Sequence, residues 1–188
     1  LGFAKLDHHR ALRRGFPEVI FGEGKTPEQI AQLAKEIASR SEKLLVTRAS
    51  QEAYDAVRRL LPDASYNKTA RAIYLQAEHP EPLIPGVLLL TGGTADIPVA
   101  EEAAVTAEVM GNAVDRVYDV GVAGIHRLLD QKESLERAQV IIVVAGMDGA
   151  LASVTSGLVS CPVIGVPTSV GYGASFHGLA ALLTMLNS

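Results

Sequence analysis

Val143-Val-Ala-Gly-Met-Asp-Gly-Ala-Leu-Ala-Ser153 decides the fold. An apolar run, Val140 to Val144, enters a Gly-Met-Asp-Gly turn and leaves it as a small-residue helical pattern. Strand, glycine turn and helix in this order mark a ligand site in an open α/β sheet. Such sites lie beyond the carboxyl ends of the strands, where helix N-termini offer free N–H groups. Gly146 and Gly149 allow close backbone approach to a ligand, and Met147 and Asp148 sit between them. Asp148 is therefore the first candidate for a working carboxylate; its plainer role is to cap the following helix.

The same rhythm extends outward from this turn. Gly86–Leu90 reads as a strand ending in Thr91-Gly92-Gly93-Thr94, followed by a helix over Ile97–Met110. Arg116–Val120 reads as a strand, Ile125–Arg137 as a helix, Pro162–Val166 as a strand. The loop Gly171-Tyr172-Gly173 then precedes a helix from about Gly178. Apolar strands alternating with helices predict a parallel sheet covered on both faces, a three-layer αβα domain. In such a sheet the loops Thr91–Asp96, Gly121–Arg127, Gly146–Gly149 and Pro167–Gly173 fall on one edge. They bring together Asp96, Asp148, His126 and Arg127.

Glu78-His-Pro-Glu-Pro-Leu-Ile-Pro85 holds three prolines in eight residues and reads as a linker. The predicted division is a small α/β domain over 1–80, a linker over 81–85 and the αβα domain over 86–188. In the first part Leu6–Arg14 reads as a basic helix ended by Gly15. Glu18–Phe21, Lys43–Thr47 and Ala70–Leu75 read as strands. Thr26-Pro-Glu-Gln is a helix start, with Thr26 as cap, Pro27 in the first position and Gln29 closing a capping box. Ile30, Leu33, Ala34 and Ile37 then follow at helical spacing, and Gln51–Leu61 reads as a second helix.

Composition narrows the function classes. The 188 residues are 48% hydrophobic, enough for a core without disulfides, and the single cysteine, Cys161, excludes an internal disulfide framework. No run approaches the roughly 20 apolar residues of a membrane span, and no signal peptide opens the chain at Leu1, so a cytoplasmic location is expected. Residues 1–85 carry 13 Lys/Arg against 11 Asp/Glu; residues 86–188 carry 4 against 10. No concentrated basic face points to nucleic acid. A ligand anion in the second part needs backbone N–H groups, Arg127, or cations from elsewhere.

Each candidate has an ordinary alternative. Thr91-Gly-Gly-Thr94 either cradles a phosphate or makes a tight turn; it is neither a Walker A motif nor Gly-x-Gly-x-x-Gly. His126-Arg127 is either a site pair or a plain first helical turn. Cys161, just before a strand, reads as a small packing residue. His8-His9 and Arg13-Arg14 read as surface. There is no His/Cys spacing for zinc and no Gly-x-Ser-x-Gly elbow.

Asp7-His-His-Arg10, Arg13, Gly15-Phe-Pro-Glu-Val-Ile-Phe21 and Gly24-Lys25-Thr26 resemble the opening of the LarB family of nickel-pincer cofactor biosynthesis proteins. Gly121-Val-Ala-Gly-Ile-His-Arg127, Val144-Ala-Gly-Met-Asp-Gly-Ala150, Cys161-Pro-Val-Ile-Gly-Val-Pro-Thr168 and Leu182-Leu-Thr-Met-Leu-Asn-Ser188 extend the resemblance along nearly the whole chain. The second part is similar in turn to PurE-type aminoimidazole ribonucleotide carboxylases. The resemblance implies carboxylation of the pyridinium ring of nicotinic acid adenine dinucleotide by CO2 and hydrolysis of its phosphoanhydride. The products would be pyridinium-3,5-biscarboxylic acid mononucleotide and AMP. The family's nucleophile is a cysteine directly after the Asn-Ser that here is Asn187-Ser188; Cys161 does not match it. Asp148 matches the family's acidic position, where the PurE turn carries a histidine nearby.

On this view Asp148 removes the ring proton. Thr91, Gly92, Gly93, Thr94, Asp96, His126, Arg127, Gly146, Met147, Gly149, Gly171 and Gly173 line the substrate, and Asp96 meets ribose hydroxyls or a magnesium ion. Arg10, Arg13 or Lys25, from the first domain or another subunit, complete the charge balance. A homo-octamer with sites at subunit interfaces is expected, with the small-residue helix Ala150–Val159 compatible either with packing between subunits or with packing on the chain's own sheet. The competing expectations are a PurE-type carboxylase or mutase, and a non-catalytic protein that binds adenine dinucleotides.

Overall fold

A computed structural model describes residues 4, 6, 7, 9–75 and 82–188. Residues 78–81 of the proline-rich stretch lie outside the described residues. The chain divides into two compact units: residues 1–83 with 105–111, and residues 84–104 with 112–188.

The first unit opens with α1 (Arg10–Arg14), shorter than the sequence pattern suggests, and α1 stops at Gly15, which adopts a left-handed φ of 72°. Its strands are β1 (Ile20–Phe21), β2 (Leu44–Thr47), β3 (Ser65–Asn67) and β4 (Ala72–Leu75), in the order β1-β2-β4-β3. β1 runs parallel to β2; β4 runs antiparallel to both β2 and β3. Glu18 lies before the ladder, and its carboxylate accepts the Asp7 N–H at 2.8 Å. β3 is too short and polar to show a strand period. Asn67 gives it away locally, its side-chain oxygen taking the Ala70 N–H at 2.9 Å to start the hairpin turn.

Between the strands run α2 (Pro27–Ala38) and α3 (Gln51–Leu60). The Thr26 capping box forms in both directions. Ser50 caps α3 by accepting the Ala53 N–H. Ile30, Leu33, Ala34 and Ile37 are all buried, so the helical spacing marks the face that packs on Leu44, Val46 and Ile73.

The second unit is built on β5 (Ile84–Thr91), β6 (Asn112–Val117), β7 (Val140–Ala145) and β8 (Val163–Pro167). All neighbours are parallel, in the order β6-β5-β7-β8. β5 starts at Ile84, two residues before the sequence suggests, so Pro85 belongs to the sheet. A bulge between Ile84 and Val87 accommodates it, with Gly86 at a φ of 118°. β6 covers Asn112–Val117, not Arg116–Val120. As an edge strand it tolerates Asn112, Asp115 and Arg116, and an apolar run is a poor guide to it.

Side chains alternate across the sheet. Leu88, Leu90, Ile141 and Val143 face Leu128, Leu135, Leu151 and Ala152. These come from α5 (Ile125–Leu129), α6 (Lys132–Arg137) and α7 (Ala150–Leu158). The expected single helix over 125–137 is thus two, interrupted at Asp130-Gln131. Leu89 and Val144 face Ala100 and Ala104 of α4 (Ile97–Val109) on the other side. The Glu101 carboxylate of α4 accepts hydrogen bonds from Arg116 Nε of β6 (2.8 Å) and from the Tyr118 hydroxyl just past it. Burial and that carboxylate push the Tyr118 phenol up to about 12. The last helix, α8 (Leu179–Leu186), lays Ala181 and Met185 inward and leaves Leu179, Leu182, Leu183 and Leu186 exposed.

Candidate active site

Strand order places the site. The β5–β6 connection moves one way along the sheet, and the connections β6–β7 and β7–β8 move the other way. Right-handed crossovers then put α4 on one face and α5 to α7 on the other. The two faces part between β5 and β7, and the carboxyl ends of those strands carry Thr91–Asp96 and Gly146–Gly149. This switch point is where open α/β sheets hold ligands.

Most of the rim ties the loops to one another. Thr91 is fully buried; its hydroxyl accepts the Asp119 N–H at 2.9 Å and its carbonyl accepts the Val120 N–H at 3.0 Å. Gly92 N–H donates to Val144 O at 2.9 Å, and Gly93 N–H donates to Asp96 Oδ2 at 2.9 Å. Asp96, only 5% exposed, accepts the Thr168 hydroxyl on its other oxygen at 2.7 Å. The carboxylate that the sequence offers to magnesium or ribose thus clamps the β5 loop to the β8 loop. Among the described residues no three His, Cys, Asp or Glu side chains cluster to hold a metal ion.

The glycines have a similar explanation. A Cβ on Gly146 would stand 2.0 Å from Val170 O, and one on Gly121 would stand 2.5 Å from Gly92 O. These positions require glycine because loop backbones meet there, so approach to a ligand is not their only purpose. The rim amides of Thr94 and Ala95, in the short turn before α4, keep no hydrogen bond among the described residues. They are the N–H groups this loop offers to an anion.

Asp148 stands apart from this framework. The Gly146–Gly149 turn closes through Gly149 N–H to Gly146 O at 2.9 Å, with Met147 held at a φ of 52°. Asp148 is exposed, and its Oδ1 accepts the Ala150 N–H at 3.2 Å. One oxygen therefore caps α7 and the other faces outward. A capping role leaves one carboxylate oxygen for a second partner.

Arg127 is half-exposed and forms an ion pair with Asp119, which the sequence reading passed over. Asp119 sits at a φ of 58°, just past β6, and a lone carboxylate between strand end and glycine was its only signal. His126 is exposed on the first turn of α5. Gly171, Tyr172 and Gly173 are exposed, Tyr172 by 78%, and His177 stands beyond them at a φ of 54°. Cys161 is half-buried against the Leu151 cluster, as a packing residue is. At the end of α8 the Ser188 hydroxyl meets that of Ser153 on α7. Ser153 lies five residues past Asp148, within α7. In the first unit, Arg13 is paired with exposed Asp7; the Arg13 guanidinium holds the Asp7 carboxyl below its usual range. Lys25 donates to Phe21 O at 2.7 Å.

Residues 1–78 match a LarB/PurE-like N-terminal domain. Residues 86–188 match the AIR carboxylase domain, which covers the parallel sheet but for the first two residues of β5. The chain belongs to the LarB family. An uncharacterized protein of Methanocaldococcus jannaschii is 42% identical over 192 residues, covering 98% of this chain and 74% of that protein. The LarB architecture is that of a carboxylase-type enzyme, with the small domain first and the PurE-like domain second. Among the described residues no helix is long and apolar enough to cross a membrane.

Proposed function

We propose that the protein carboxylates the pyridinium ring of nicotinic acid adenine dinucleotide with CO2 and hydrolyses its phosphoanhydride. The products are pyridinium-3,5-biscarboxylic acid mononucleotide and AMP. The observation that carries this reading is Asp148: an exposed carboxylate with one oxygen uncommitted, at the switch point of a LarB-type sheet.

A pyridinium carbon is electrophilic and does not attack CO2. Addition of a thiolate to the ring makes an adjacent carbon enamine-like and nucleophilic. That carbon bonds to CO2, Asp148 takes its proton, and departure of the thiolate restores the aromatic ring. In the family the thiolate belongs to the residue after the Asn-Ser that here is Asn187-Ser188, and the contact of the Ser188 hydroxyl with Ser153 on α7 supports this reading. Water then cleaves the phosphoanhydride to release AMP. Thr94 and Ala95 amides and Arg127 are the rim groups suited to the phosphates. No step is assigned to magnesium.

The exposed leucines of α8 favour self-association into the octamer typical of PurE-like domains. α7 is a weaker candidate, since Leu151, Ala152 and Thr155 are buried against the chain's own unit.

The second reading, a PurE-type aminoimidazole ribonucleotide carboxylase, rests on the match over 86–188 and leaves the first unit without a role. Incubation of the intact protein with each substrate and bicarbonate separates the two. AMP and a carboxylated mononucleotide are expected from the dinucleotide. Turnover of aminoimidazole ribonucleotide alone would replace the first reading with the second; tight dinucleotide binding without turnover would leave a non-catalytic binder. Asp148→Asn is expected to abolish carboxylation and keep dinucleotide affinity within about twofold, since general-base groups contribute on the order of a hundredfold or more.

A further inference from the structure

The turn after β7 and the loop after β8 meet backbone to backbone. Thr168 N–H donates to Ala145 O at 3.0 Å, and a Cβ on Gly146 would stand 2.0 Å from Val170 O. A Cβ on Gly171 would stand 3.1 Å from Met147 N and 3.6 Å from Met147 Cγ. Tyr172 and Asp148 each stand one residue beyond that last contact. Among the described residues no hydrogen bond, ion pair or ring contact holds the Tyr172 side chain.

Three apolar side chains at this seam are open to solvent: Tyr172 is 78% exposed, Met147 43% and Val170 39%. A single exposed apolar residue needs no explanation, but a group of them beside a free carboxylate oxygen marks a binding surface. Met147 also holds a left-handed φ of 52°, where a residue with a Cβ is disfavoured and glycine fits at no cost. Core packing does not account for a long apolar side chain there, since Met147 joins neither core cluster of its unit. Glycine sets the backbone on both sides of Tyr172, with φ of 139° at Gly171 and 79° at Gly173. The loop is thus fitted closely to the Met147 turn while the tyrosine ring stays open.

An aromatic face, a thioether and a carboxylate oxygen therefore share one seam. The face of a tyrosine attracts a flat cation through the ring quadrupole, and a methionine sulfur packs well against a ring edge. A neutral purine would gain stacking from this surface but nothing from its charge, and a phosphate would gain nothing. Residues 138–188 contain no Lys or Arg, so no cationic side chain of either loop competes for the tyrosine face. The chemistry of the seam selects a planar, positively charged ring.

We infer that Tyr172, flanked by Met147, is the ring-recognition residue of the site, its face receiving the pyridinium ring of the substrate beside Asp148. The identity of the ring rests on the carboxylation reading. Tyr172 sets affinity and specificity, and no bond-making step is assigned to it.

Calorimetric titration of the intact protein with nicotinic acid adenine dinucleotide, in bicarbonate-free buffer, and with AMP tests it. Tyr172→Ala is expected to weaken dinucleotide binding about tenfold and to leave AMP affinity within about twofold. Tyr172→Phe keeps an aromatic face and is expected to stay within about threefold of wild type. In assays of AMP release, Tyr172→Ala is expected to raise KM with kcat nearly kept, the signature of lost binding and not of lost chemistry. Light scattering compares the mass of each variant with that of wild type. Dinucleotide binding weakened as expected, with no turnover by any form, supports the ring site and removes the carboxylation reading. Three results overturn the inference and leave that reading standing: turnover with dinucleotide affinity unchanged in Tyr172→Ala, an equal loss for AMP, or a smaller assembly, which would give Tyr172 to a subunit interface. Failure of the wild type to bind the dinucleotide overturns both.

Discussion

Thr168→Val probes the clamp that shapes the carboxyl edge. Thr168 is 4% exposed and Asp96 5% exposed, and the 2.7 Å hydrogen bond joins them across 72 residues of sequence. Valine keeps the shape of threonine and removes only the donor, so one oxygen of a buried carboxylate loses its partner. A hydrogen bond to a charged group contributes about 1.5–3 kcal/mol net, and an unsatisfied buried acceptor falls in the same range. A loss of about 2 kcal/mol lowers Tm by roughly 4–8 °C in a chain of this length. Scanning calorimetry of wild type, Thr168→Val and Thr168→Ser measures it. Serine retains the hydroxyl and gives up one methyl, about 0.8 kcal/mol, so it is expected to fall less than half as far. Adding Asp96→Asn completes a double-mutant cycle with a coupling of about 1 kcal/mol or more. Equal melting of the valine variant and wild type, or zero coupling, would refute the view that Asp96 is a structural clamp and return it to the list of free ligands.

Three further outcomes follow from the same geometry. Gly146→Ala brings a methyl 2.0 Å from Val170 O; a loss of about 3 kcal/mol or more is expected by chemical denaturation, as is typical of strain and overpacking. The folded state holds the Tyr118 proton up to about 12, whereas a free tyrosine releases it near 10.0. Its stabilisation is therefore intact below about pH 10 and lost as pH rises toward about 12, and Tyr118→Phe is expected to flatten that alkaline limb of the urea midpoint against pH. Leu183→Glu, placing a charge among the exposed leucines of α8, is expected to reduce the assembly seen by light scattering to smaller species; an unchanged mass would remove α8 from the interface.

What the sequence settled by itself was whatever local periodicity and end signals control. The strand-turn-helix at Val140–Ser153 needs only an apolar run and a glycine turn, and β7 and α7 stand where those residues put them. Thr26-Pro-Glu-Gln announced the capping box and the buried face of α2 from spacing alone. Alternating apolar strands and helices implied a parallel sheet, and with it the common edge of the four loops.

Tertiary structure decided the roles of polar groups, because a side chain's partner across the sheet leaves no local trace. Asp96 and Thr168 meet only because β5 and β8 flank β7, and no spacing in the chain reveals it. That Gly146 also clears the Val170 backbone, and Gly121 the Gly92 backbone, came into view only with the opposing loops. Asp119 was invisible until the fold brought it to Arg127. β6 and β3 escaped because an edge strand is specified by its neighbour's hydrogen bonds more than by its own hydrophobicity. Arg71 donates to Arg48 O across 23 positions of sequence because the β2–β4 register brings those ends together, and a register is a property of the sheet and not of either segment.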